Sequence, residues 1–178
     1  LFVDAVHCVL GSEEVSFLWG NSRKVTLTHS GRQRYSILGG LDVCNCSYVD
    51  LRTDGTVTSD FFCEFLEKVR LTYPGKEIHI FLDNCAVQHN GAALVKAKEL
   101  GITLDHLPPY SPNLSYIERL WHFLKKKLRD RSNFDNYNVF KKAIDEILDS
   151  VTTKYKREVQ KEMNERVVLY EDNKDDYR

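Results

Sequence analysis

Apolar residues crowd the segment from Leu1 to Leu10. They crowd again in two runs within Arg34–Arg52, namely Tyr35–Val43 and Ser47–Leu51. Short stretches rich in Val, Ile, Leu and Tyr predict three strands, with Cys44-Asn45-Cys46 as the turn between the second and third. Gly11 to Lys24 reads as a loop around one apolar island, Phe17-Leu18-Trp19. After a turn over Thr53–Thr58 the period changes. Phe61, Phe62, Phe65, Leu66 and Val69 recur at helical spacing until Pro74-Gly75 stops the run. Glu77–Asp83 is an apolar strand ending on a carboxylate, Ala92–Leu100 a helix closed by Gly101, and Ile102–Leu107 a strand running into Pro108-Pro109. Asn113–Asp130 is the most strongly patterned helix, with Leu114, Ile117, Leu120, Trp121, Leu124 and Leu128 on one broad face. Phe140, Ile144, Ile147 and Leu148 mark a further helix, and the remainder to about Val168 also reads as helical.

Three strands followed by alternating helices and strands predict an α/β domain with a mixed sheet between helices. A chain of 178 residues with 42% hydrophobic content suffices for one such domain. Its expected span is 1–168, leaving 169–178 as a disordered acidic tail. No apolar run approaches the roughly 18 residues that span a bilayer, so no membrane partner is expected. The opening apolar run is interrupted too early, by Asp4 and His7, for a secretory signal. The chain starts at Leu1 inside a strand, which is read as a piece of a longer protein with a further domain upstream.

Five cysteines without a CxxC pair argue against a disulfide framework and against a structural zinc site, and so for an intracellular location. That would be the cytoplasm and nucleoid of a bacterium or archaeon, or a eukaryotic nucleus. A net charge of −1 does not mark a nucleic-acid binder. The dense basic stretch Lys125, Lys126, Lys127, Arg129 and Arg131 is the local exception, although a run of this kind is commonly a solvated helix face.

Asp4 lies inside the first strand, Asp83 ends the fourth, and Glu118 opens the strongest helix. Strand ends and helix starts are where an α/β scaffold aims side chains into one cleft. Three carboxylates so placed suit hard divalent cations and phosphodiester chemistry. Each acid also has an ordinary structural reading. Asp4 can be a strand-edge residue, Asp83-Asn84 can start a turn, and Ser115-Tyr116-Ile117-Glu118 matches a helix capping box. Spacing alone leaves both readings open. Asp54-Gly55-Thr56-Val57 is similar to a phosphatase motif but has Arg52 where that chemistry needs a nucleophilic Asp. Cys85 and His89 are spaced to pair, without a third ligand nearby.

The segment Leu107-Pro108-Pro109-Tyr110-Ser111-Pro112-Asn113-Leu114-Ser115-Tyr116-Ile117-Glu118-Arg119-Leu120-Trp121 resembles the signature of mariner-related insertion-sequence transposases, within the DDE superfamily. Leu82-Asp83-Asn84, with His89 following, resembles the family's second motif, and Phe2-Val3-Asp4 its first. The 34 residues between Asp83 and Glu118 match one branch of that superfamily. Trp19-Gly20 and Gly39-Gly40 fall where the family carries a Trp-Gly turn and a small-residue strand. The chain departs from the pattern at Ala5 and at Ser115-Tyr116, where relatives have Glu and Asn-Pro. Pro108, Pro109 and Pro112 stiffen the loop that leads to Glu118.

The resemblance implies a ribonuclease H-like fold whose first three strands are antiparallel. It implies Asp4, Asp83 and Glu118 as catalytic metal ligands for Mg²⁺ or Mn²⁺, two ions in all. It also implies DNA cleavage at transposon ends, strand transfer into target DNA, and a homodimer in the active complex. Asn84 and His89 are candidates for supporting the ligands or touching DNA, and Lys125, Lys126 and Arg129 for phosphate contacts. The rival readings are a ribonuclease H-like nuclease that cuts without joining, and an inactive DNA-binding remnant. End-specific recognition would belong to a helix-turn-helix module that is not seen in this sequence.

Overall fold

A computed structural model describes residues 1–10, 33–83, 91–108, 114–131 and 134–163. Its elements are β1 (Phe2–Val9), β2 (Arg34–Asp42), β3 (Ser47–Thr53), α1 (Ser59–Thr72), β4 (Ile78–Leu82), α2 (Gly91–Glu99), β5 (Ile102–His106), α3 (Tyr116–Arg131), α4 (Tyr137–Asp149) and α5 (Lys156–Met163). The strands form one sheet in the order β3-β2-β1-β4-β5. β1, β2 and β3 pair antiparallel, while β4 runs parallel to both β1 and β5. This is the mixed sheet that the sequence pattern implies.

Local chemistry sets the boundaries. The Thr58 hydroxyl accepts from the Phe61 N–H at 3.2 Å and opens α1, and Asn136 does the same for Val139 at 3.1 Å to open α4. Gly75 (φ +69°) and Gly101 (φ +62°) take the left-handed conformation that ends the segments after α1 and α2. In the β2–β3 turn the Asp42 carboxylate accepts from the backbone N–H groups of Cys44 and Asn45 at 3.0 and 3.3 Å. That Asx arrangement supports the positive φ of Cys46. α3 begins at Tyr116, three residues later than its apolar pattern suggests. The chain turns through Val151–Tyr155 before α5, so the expected continuous helical remainder is broken there.

Alternation along the strands sends side chains into two cores, one on each face. Val3, Leu38, Val49, Ile78, Ile80, Leu82 and Ile102 meet α1 and α2 through Phe62, Phe65, Leu66, Val69, Ala93 and Ala97. Val6, Cys8, Tyr35, Ile37 and Leu41 meet α3, α4 and α5 on the other face. Each fully buried large side chain stabilises by about 1.5–3 kcal/mol, so both cores hold the sheet rigidly. Phe123 is buried as well, with the ring of Tyr155, in the turn before α5, 5.5 Å from its own. β3 is tied to α4 by Arg52, which bonds Asp50, Asp145 and Asp149 at 2.7, 2.9 and 2.6 Å.

Candidate active site

Val3 pairs with Leu82 across the parallel β1–β4 ladder, and both side chains enter the α1/α2 core. One residue further, alternation turns Asp4 to the opposite face, and the charge of Asp83, which follows Leu82, reaches the Asp4 carboxyl. Asp83 is the first residue beyond β4. On β1's other side Asp4 pairs with Gly39.

α3 crosses this row. The indole N–H of Trp121 donates to Asp4 Oδ2 at 3.0 Å, and Glu118 lies one turn earlier on the same helix. The first turn is closed by Glu118 N–H donating to the Ser115 carbonyl at 3.1 Å. Gly39 provides the room for this approach. A Cβ on it would stand 2.6 Å from Cη2 of the indole. Tyr116, two residues before Glu118, rests on Phe2 with ring centroids 5.1 Å apart, and Phe2 stacks on Phe81 at 5.1 Å. Arg119 lies over the Tyr116 ring at 5.1 Å and donates to the Glu162 and Met163 carbonyls at the end of α5.

The charge of Asp83 reaches both Asp4 and Glu118. Burial pushes the Asp4 carboxyl above the usual carboxylate range, and the charge of Asp83 adds to this against hydrogen bonds from the Ala5 backbone and Trp121. Glu118 is raised by burial and then by the charges of Asp4 and Asp83. Mutual repulsion of this kind is what a cation relieves. The donor set consists of hard carboxylate oxygens, which fits Mg²⁺ or Mn²⁺ better than a softer metal. Among the described residues no three acidic, His or Cys side chains form a ready-made metal cage. An open carboxylate set is compatible with Mg²⁺, which retains several waters.

The basic stretch is divided. Lys127 pairs with Glu158 of α5 at 2.7 Å and Arg131 with Glu146 of α4 at 2.9 Å. Lys125, Lys126 and Arg129 remain exposed, with Lys126 Nζ 4.0 Å from Glu162. His122, which the sequence pattern did not single out, is exposed too. Its spacing of four from Glu118 was the available signal, and Glu118, His122, Lys125 and Arg129 form one stripe along α3. Asn84, His89 and Cys85 lie outside the described residues. Asp54, in the phosphatase-like stretch, serves a structural purpose by accepting from Tyr137 and Lys141, both at 2.7 Å. No helix among the described residues is long and apolar enough to cross a membrane.

The family model described as DDE superfamily endonuclease matches residues 1–141. Among solved structures, the Mos1 strand transfer complex is similar at 16% identity and TM-score 0.63, over 91% of this chain and 50% of the Mos1 chain. The simian T-cell lymphotropic virus intasome, in complex with a PP2A regulatory subunit, is similar at 19% identity and TM-score 0.56, over 80% of this chain and 45% of its own. The HTLV-2 integrase catalytic core domain, in complex with magnesium, matches at 16% identity and TM-score 0.53, over 84% and 81% of the two chains. These likenesses show the ribonuclease H-like fold. The chain spans about half the length of the Mos1 and intasome chains. No curated protein matches it.

Proposed function

The chain belongs to the DDE superfamily endonuclease family, and on that premise we propose that it is the catalytic domain of a transposase, with Asp4, Asp83 and Glu118 as its metal ligands. The observation that carries the reading is the β1–β4 register. It pairs Val3 with Leu82, the residues just before Asp4 and Asp83, and the Trp121 hydrogen bond to Asp4 ties β1 to the helix that carries Glu118.

The three carboxylates would hold two divalent cations, Mg²⁺ or Mn²⁺. Such ions, when bound, activate an attacking oxygen and stabilise the leaving one during in-line displacement at phosphorus. The residues of this chain supply the frame for that chemistry. The sheet sets the Asp4–Asp83 spacing, Trp121 and Tyr116 set the height of Glu118, and both cores keep the frame stiff. Small displacements of reacting groups cost large factors in rate, so stiffness has catalytic value. Lys125, Lys126 and Arg129, with His122, extend from the acids along α3 as a phosphate-contacting stripe, which adds affinity without reading sequence.

In cleavage, water attacks a phosphodiester at the element's end and the 3′-oxygen leaves as a hydroxyl. In joining, that hydroxyl attacks a target phosphodiester and displaces another 3′-oxygen. One phosphodiester forms as one breaks, so no energy-carrying cofactor is required. DNA is the proposed substrate, and a second copy of the chain the proposed partner in the active assembly.

The test supplies the full-length protein with pre-cut element ends, target DNA and Mg²⁺ or Mn²⁺. Joined products that vanish in Asp83→Asn support the transposase reading. Cleavage without joining favours the nuclease alternative. Equal inertness of wild type and variant, with DNA binding retained, would leave a binding module.

A further inference from the structure

Trp121 is buried at 5% exposure, and an indole at that position in α3 could be explained by packing alone. Three observations point further. Its single polar atom, Nε1, is spent on Asp4 Oδ2 at 3.0 Å. The ring is admitted because Gly39, the cross-strand partner of Asp4, has no side chain. The edge of the Tyr48 ring meets it at 82° with centroids 6.4 Å apart, so the indole is wedged and cannot swing. A rigid donor of this kind fixes the rotamer of the carboxylate it holds.

We propose that Trp121 is a positioning residue for the metal site: its N–H occupies one oxygen of Asp4 and orients the carboxylate for a divalent cation before the cation arrives. The same bond links β1 to the helix carrying Glu118, so one donor aligns two ligands. The inference rests on the reading of Asp4 as a metal ligand. Partners that orient ligands from outside the coordination shell change metal affinity or activity by about 10–100-fold when removed.

The experiment measures Mn²⁺ affinity directly, by the paramagnetic resonance signal of free Mn²⁺ in titrations of wild type and Trp121→Phe. Phenylalanine keeps an aromatic ring at the position and deletes the donor. Affinity weaker by about 10–100-fold, in a variant with native circular dichroism, supports the proposal. Equal affinities overturn it while leaving the metal site standing. No Mn²⁺ binding by wild type overturns the metal-site reading and this proposal with it.

A second measurement covers the case in which Trp121→Phe does not fold. The chain has two tryptophans, so Trp19→Phe leaves Trp121 as the sole indole emitter. Mg²⁺ should then shift Trp121 emission with the midpoint found by calorimetry, and Asp4→Asn should abolish the response. Emission unchanged at calorimetric saturation would overturn the proposal.

Discussion

Gly39 and Trp121 occupy one space: a Cβ on Gly39 would lie 2.6 Å from the indole Cη2 and 3.0 Å from the Tyr48 ring. Substituting alanine for a glycine in ordinary backbone restricts the unfolded chain and gains about 0.4–1 kcal/mol. Forcing a methyl into a packed core costs about 1–3 kcal/mol. The atoms that must yield belong to two interlocked rings, not to the end of a flexible chain, so the cost should win. Gly39→Ala is expected to lower the urea midpoint without changing the slope, and to reduce cleavage beyond the loss of folded protein. A stability equal to or above wild type would show that the indole is not confined.

Two histidines on neighbouring regions of the sheet should titrate in opposite directions. His79, on β4, hydrogen-bonds Asp105 at 2.9 Å and Glu77 at 3.4 Å, and these contacts raise it above the ordinary 6.5. His7, on β1, is lowered, first by burial and then by the charge of Arg34. For His79 the stabilising contribution is complete below pH 6.5 and is lost as pH rises through the higher folded value. For His7 it is complete above 6.5 and is lost as pH falls through the lower folded value. Imidazole NMR titration should place His79 above and His7 below 6.5, and Asp105→Asn should return His79 towards it. Coincident midpoints would contradict both assignments.

Arg129 gives a test of the α3 stripe that is independent of catalysis. It is exposed, three turns beyond Glu118, whereas Lys127 and Arg131 are engaged by Glu158 and Glu146. Deleting one phosphate-neutralising cation should flatten the dependence of log affinity on log salt by about 0.9. Arg129→Ala should therefore weaken binding to unrelated duplexes alike and reduce that slope by about one. An unchanged slope would remove Arg129 from the interface.

The order of elements and the positions of Asp4 and Asp83 were legible in the sequence, because strand patterns and their endings are local properties. What was not legible depends on register and on distant partners. Gly39-Gly40 reads only as a small-residue strand, yet the two glycines face different cores, one admitting Trp121 and the other lying against Phe65. Trp121 reads as one apolar position on α3, since nothing local reveals that its N–H would meet β1. The basic stretch looks uniform until α4 and α5 supply Glu146, Glu158 and Glu162 to part of it. His122 carries no signal of its own, because its meaning derives from Glu118 one turn away. The Ser115-Tyr116 departure from the family pattern acquires a physical account only in three dimensions, where Tyr116 packs on Phe2.

The carboxylates predict that stability and metal binding pull apart at Asp4. Burial and the charge of Asp83 both oppose ionisation of Asp4, so the metal-free fold carries an unfavourable charge. Asp4→Asn removes that charge and keeps a side-chain oxygen to accept from Trp121. Without divalent cations the variant should therefore melt at or above the wild-type temperature. With Mg²⁺ at about a hundred times its dissociation constant the wild type should gain about 2.7 kcal/mol, which in a domain of this size is roughly 5–10 °C. Asp4→Asn should gain little, because a ligand has become neutral. The two melting temperatures are expected to change order as Mg²⁺ is added, and chelation should restore the first order. Scanning calorimetry at several Mg²⁺ concentrations decides the matter. If Asp4→Asn is the less stable protein in chelator, the carboxylate is held by favourable contacts that outweigh its repulsion, and the account of Asp4 as a cation-seeking group fails.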